Sequence, residues 1–168
     1  DVRVRLLPCI HEFESVIEQC GVFLLVAEKL DLPLIVTEQY PKGLGPTVPE
    51  LESKNATIFE KLSFSGLRDE KIRSHFKTLE ESGFKQVIVC GVEAHVCVLQ
   101  TALELKQAGF EVFVVADACS SRSAQSVALA MSRLRHHGVQ VVDAEMALFE
   151  LAAKAGTPEC KALSALIK

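Results

Sequence analysis

Apolar residues Ile10, Phe13, Ile17, Cys20, Leu24, Ala27 and Leu30 recur at spacings of three and four. That stripe predicts an amphipathic helix from Pro8 to Leu30, with Pro8 suited to its first turn. Leu34-Ile35-Val36 then reads as a short buried strand. The Pro and Gly density of Tyr40 to Pro46 predicts a loop without regular structure. A second strand over Ala56 to Glu60 leads into Lys61, and Leu67, Ile72, Phe76 and Leu79 mark the inner face of a helix from Leu67 to Ser82, stopped by Gly83.

The second half is plainer. Gln86 to Cys90 and Val112 to Ala116 are runs rich in β-branched residues, as expected of strands buried on both faces. Helices over Ala94 to Ala108 and Ser123 to His137 end at Gly109 and Gly138, a strand follows at Val139 to Val142, and Glu145 to Ala155 and Pro158 to Ile167 read as two further helices. Alternation of strand and helix predicts a parallel sheet covered by helices. The fold class is therefore α/β: a three-layer α/β/α arrangement with a parallel, Rossmann-like sheet, forming one domain over residues 1–168. The strands at Leu34 to Val36, Val87 to Cys90 and Val112 to Ala116 are expected as neighbours in one layer.

Composition narrows the function classes. The 168 residues carry 18 basic and 22 acidic side chains, a formal charge of -4, which speaks against a nucleic-acid partner. The longest apolar stretch, Val22 to Ala27, is far short of the ~20 residues of a membrane span. The opening Asp1-Val2-Arg3-Val4-Arg5 does not read as a signal peptide. The expectation is a cytoplasmic protein without a membrane partner. Cys9, Cys20, Cys90, Cys97, Cys119 and Cys160 show no CxxC spacing, so free thiols, mostly packed as small hydrophobes, are expected.

In open parallel sheets ligands bind beyond the carboxyl ends of the strands. The residues at those places are Glu38-Gln39-Tyr40, Lys61, Gly91 to Cys97, and Asp117. Cys97 falls in a first helical turn, where partial positive charge and N–H groups favour a thiolate and can bind an oxyanion. Its alternative is a buried small hydrophobe. Lys61 either reaches the strand-end crevice or is an ordinary solvated lysine. His95, two residues from Cys97, cannot face it on a helix and is a poor general base. Arg122 could bind an anion, although Ser-rich stretches such as Cys119 to Ser123 more often cap helices.

Thr37 to Gly45, Gly91 to Cys97 with Thr101 to Leu105, and Asp117 to Ser123, in that order, resemble the isochorismatase domain-containing proteins of the isochorismatase-like cysteine hydrolase superfamily. The likeness runs through essentially the whole chain. It implies a catalytic Cys-Asp-Lys triad carried by Cys97, Asp1 and Lys61, an oxyanion hole beside a cis peptide at Val92-Glu93, and a substrate pocket that includes Gln39, Tyr40 and Phe64. The Asp carboxylate would take the thiol proton, the Lys ammonium would hold the Asp ionised, and a thioester intermediate would be hydrolysed by water. A small amide or related carbonyl compound is the implied substrate. No cofactor and no metal are expected, because Glu38-Gln39-Tyr40 stands where metal-binding relatives carry Asp-x-His. Retention of Cys97 argues against isochorismate chemistry, since isochorismatases proper replace that cysteine.

Family members place a hydrophobic strand before the aspartate, whereas this sequence starts at Asp1 with Val2-Arg3-Val4 where Met-Gln-Glu is usual. The domain is thus expected to lack the family's first strand. The competing reading is a catalytically impaired domain used as an interaction scaffold; a redox thiol protein is a weaker third, for want of a resolving cysteine close to Cys97. A homo-oligomer is expected, with Ala147 to Ala153 and Leu163 to Ile167 as contact surfaces.

Overall fold

The computed structural model describes residues 1–167. Five strands alternate with helices: β1 (Leu34–Gln39), β2 (Ala56–Lys61), β3 (Gln86–Val92), β4 (Glu111–Ser120) and β5 (Gln140–Val142). The α-helices are α1 (Phe13–Lys29), α2 (Pro41–Leu44), α3 (Glu70–Glu81), α4 (Leu99–Gln107), α5 (Ala124–His136), α6 (Ala144–Ala152) and α7 (Pro158–Ser164). All strand pairs are parallel: β1 with β2, and β3-β4-β5 in that order.

Period-two alternation sends the strand side chains to two helix layers. Val87 and Val89 of β3 with Val112 and Val114 of β4 pack among α3, α4 and α5. Ile88 and Val92 with Phe113 and Val115 pack on the other face, against α1 and α6. This is the expected three-layer α/β/α fold.

One expectation about the sheet fails. β1 and β3 are not hydrogen-bonded neighbours, so each keeps an edge unpaired by another strand of the described chain. Between them lies a cavity of about 770 Å³ lined by Leu34 and Val36, Ile88 and Cys90, and Phe23 and Ile72, and every residue of β1 is only half-buried. The carboxyl ends of both strands converge on Asp1, which accepts from Gln39 N through its side chain and from Val92 N through its carbonyl.

Several boundaries also differ, each for a local reason. The first helix starts at Phe13 rather than Pro8, because Glu12 has φ 51° and Ile10 is extended; a 3-10 turn occupies Leu7–Cys9. The Pro/Gly segment holds one helical turn, α2, with Pro41 at its start where a missing N–H is harmless. Asp69 caps α3 by accepting from Lys71 and Ile72 N, which displaces its start from Leu67. β4 continues to Ser120, so Asp117 lies within the strand rather than after it, and its carboxylate accepts from Ala144 N. Of the expected contact surfaces, Ala147 and Leu163 face inward and are buried, whereas Phe149 and Leu151 within the first are exposed, as is the adjoining Met146. Among the described residues no helix is long and apolar enough to cross a membrane.

Candidate active site

The first residues of the chain are stitched to the segment after β1. Val48 N donates to Val2 O, Val4 N to Pro46 O and Arg5 N to Leu44 O, and Arg3 forms an antiparallel bridge with Thr47. The wholly buried Arg3 guanidinium pairs with Glu38 at 2.6 Å and also donates to Gly45 O. Burial pushes the Glu38 carboxyl upward, but hydrogen bonds from the Thr47 hydroxyl and amide, together with Arg3, outweigh it and leave Glu38 below its usual range.

Anchored this way, Asp1 turns its carboxylate into the crevice at the carboxyl ends of β1 and β3. Oδ2 meets Lys61 Nζ at 2.8 Å, with side-chain exposures of 3% and 1%; Thr37 Oγ1 donates to it at 3.2 Å. Thr37 reaches Asp1 with its hydroxyl and Gln39 with its main-chain N–H. Lys61, the last residue of β2, also donates to Gln39 Oε1 at 2.7 Å, Phe64 O at 3.0 Å and Ser63 O at 3.2 Å. Burial lowers the Lys61 ammonium below its ordinary value; the Cys97 side chain acts against this, and Arg3 adds to it.

Cys97 belongs to a wide helical turn, Ala94–Val98, that precedes α4. It is half-buried and lines the same cavity as Asp1 and Lys61. The turn follows the Val92-Glu93 peptide, which is cis. Glu93 O accepts from Val96 N and Val98 N, while its carboxylate accepts from Arg122 Nε at 2.8 Å. His95 is engaged with Ser121 Oγ at 2.9 Å rather than with the thiol two residues on. The loop after Lys61 is fastened to α4, which continues directly from the Cys97 turn: Ser65 Oγ donates to Glu104 at 2.5 Å and Gly66 N to Thr101 Oγ1 at 3.0 Å. The two halves of the site are therefore held at fixed separation by contacts outside it.

The structure thus gathers Asp1, Lys61 and Cys97 around one cavity and turns the Gln39 amide onto Lys61. Tyr40 and Phe64, expected in the substrate pocket, are exposed on the segments beside Lys61, as is Leu62, and neither they nor Gln39 line the cavity. Glu38, at the first position of the stretch where relatives hold metal, is occupied by Arg3 and Thr47. Sequence reasoning missed the Arg3-Glu38-Thr47 network and Thr37. The signal for the first was a lone Arg between Val2 and Val4, an alternation that a solvent-facing residue would equally satisfy. The remaining thiols differ in setting: the neighbouring Cys90 thiol and burial push Cys20 up, and burial pushes Cys119 up strongly.

A family model, the isochorismatase domain, matches residues 1–146. Isochorismatase domain-containing protein 2 of Danio rerio is 40% identical over 99% of this chain and 83% of its own length. Among solved structures, the MAR1 ribonuclease from Caenorhabditis elegans is 35% identical with a TM-score of 0.91, covering 99% of this chain and 85% of that one. YcaC from Pseudomonas aeruginosa, solved with hexane-2,5-diol and covalent acrylamide, is 26% identical with a TM-score of 0.83, covering 98% and 83%.

Proposed function

This chain belongs to the isochorismatase family of hydrolases, and from that premise we propose that it is a cysteine hydrolase of a small amide or related carbonyl compound. The observation that carries the reading is the buried Asp1-Lys61 ion pair at 2.8 Å in the cavity that Cys97 lines. Two opposite charges withdrawn from water at a strand-end crevice are costly for stability alone, and such arrangements cluster at functional sites.

In this mechanism Asp1 accepts the Cys97 proton and the sulfur attacks the substrate carbonyl carbon. The oxyanion is met by the Cys97 N–H in the turn after the cis Val92-Glu93 peptide, where Val96 N and Val98 N are held by Glu93 O and His95 N by Ser121 Oγ. Collapse of the tetrahedral species breaks the C–N bond, and the proton held by Asp1 leaves with the amine. Water, deprotonated by Asp1, then cleaves the thioester, and the proton returns to the thiol. Lys61 stays charged throughout, keeping Asp1 ionised between proton transfers. Tyr40, Leu62 and Phe64, exposed on the segments beside Lys61, supply an apolar surface suited to a small, uncharged substrate body. The covalent acrylamide in the YcaC structure supports a reactive nucleophile in this fold.

The ribonuclease description of the worm structure raises a second reading. Against it stand the net charge of -4 and the pairing of the nearby cations, Arg3 with Glu38, Lys61 with Asp1 and Arg122 with Glu93, which leaves these three poorly placed to neutralise phosphates. The test is ammonia release from a panel of small primary amides, run beside cleavage of single-stranded RNA, with Cys97→Ala as control. Amide turnover that disappears in Cys97→Ala supports the proposal. RNA cleavage with no amide turnover refutes it.

A further inference from the structure

Gln39 was expected to line the substrate pocket, yet its amide is committed elsewhere. Oε1 accepts from Lys61 Nζ at 2.7 Å, Nε2 donates to Leu62 O at 2.6 Å, and the main-chain N donates to Asp1 Oδ1 at 2.5 Å. An ammonium only donates and a carbonyl only accepts, so these partners fix which way the amide faces. One residue thus touches both charged members of the site.

We infer that Gln39 is a positioning residue that holds the Lys61 ammonium in register between Asp1 and Cys97; this rests on the hydrolase reading above. Lys61 has three N–H donors for four oxygens, on Asp1, Gln39, Phe64 and Ser63. The shortest of these contacts, to Gln39 and Asp1, pull Nζ toward the β1 side, while the Phe64 carbonyl holds it from the following loop. With its protons taken by fixed acceptors, Lys61 acts on the Cys97 sulfur as an oriented charge rather than as a mobile proton donor. Neutrality of the residue matters as much as its acceptor. Asp1 already balances Lys61, so a second carboxylate would place uncompensated negative charge beside the sulfur that must become a thiolate.

Two substitutions separate these roles. Gln39→Met keeps the shape and removes the acceptor; Gln39→Glu keeps the acceptor and adds charge. The readouts are the nitrogen-15 resonance of the Lys61 ammonium, visible only while its protons exchange slowly with water, and the pH profile of Cys97 alkylation by iodoacetamide. In Gln39→Met the ammonium resonance broadens away and alkylation slows several-fold. In Gln39→Glu the resonance survives, and the acid limb of the profile moves up by about one pH unit, a tenfold slower reaction below it. A side chain that merely filled space would lower rates without moving the limb. The inference is overturned if Gln39→Met retains the resonance or Gln39→Glu leaves the limb in place. If Cys97 of the unaltered protein shows no selective alkylation, the hydrolase reading falls, while the resonance still decides whether Gln39 positions Lys61.

Discussion

Replacing Lys61 by Met is the sharpest perturbation of the site. It removes the ammonium and leaves the Asp1 carboxylate, 3% exposed, without its ionic partner. Breaking one side of a buried pair costs about 3–5 kcal/mol. Asp1 retains Thr37 Oγ1 and Gln39 N as donors, which places the expected cost near the lower end, about 3 kcal/mol. For a domain of this size each kcal/mol moves Tm by roughly 2–4 °C, so a fall of about 6–12 °C is expected at pH 7. The loss depends on pH in a defined direction. In Lys61→Met the buried carboxyl is protonated more readily folded than unfolded, so the folded state keeps a proton that the unfolded chain has lost above about pH 4. Stability of the variant relative to the parent therefore declines from pH 5 to pH 8. Adding Asp1→Asn removes the orphaned charge, and the double variant is more stable than the sum of the singles predicts. Thermal and urea unfolding of all four proteins at both pH values reads each quantity. A deficit below about 1 kcal/mol at pH 7, or additive singles, refutes the claim that the pair is buried and mutually dependent.

Glu38→Gln leaves the wholly buried Arg3 unpaired and costs about 3–5 kcal/mol at neutral pH. Because the Thr47 donors and Arg3 hold the folded Glu38 carboxyl below its usual range, its contribution is present at neutral pH and lost as pH falls through the folded value; the difference between variant and parent narrows on acidification, as denaturation over a descending pH series from pH 7 will show. Joining a Val/Ile-rich six-residue segment to the nitrogen of Asp1 places a strand against the open edges of β1 and β3. Tm rises and amide exchange slows at Ile35, Val36, Ile88 and Val89; a Ser/Gly extension that does the same contradicts the cavity's role as a strand slot. Exposed Leu62, Phe64, Met146 and Phe149 lead to a homo-oligomer by sedimentation at micromolar concentration, and a monomer there counts against it.

The layers were legible because β3 and β4 are continuous β-branched runs that only a doubly covered sheet accommodates. Helix ends were legible where Gly109 and Gly138, each with positive φ, stop them. The gap between β1 and β3 was not, since pairing of non-consecutive strands leaves no local pattern. Arg3 was not legible either: its partners Glu38 and Thr47 lie 35 and 44 positions away and are brought to it by the turn after β1. The motifs led to Asp1, Lys61 and Cys97, but the role of Gln39 depends on where Lys61 points, which only coordinates supply.

The central claim, that Cys97 is an activated nucleophile, is tested most directly by iodoacetamide alkylation rates of all six cysteines in the folded protein at neutral pH, followed residue by residue by mass spectrometry. The account predicts that Cys97 reacts faster than exposed Cys9 and faster than Cys90, which is half-buried in the same cavity, an order that accessibility alone would not produce. Alkylation of Cys97 no faster than that of Cys9 would contradict it.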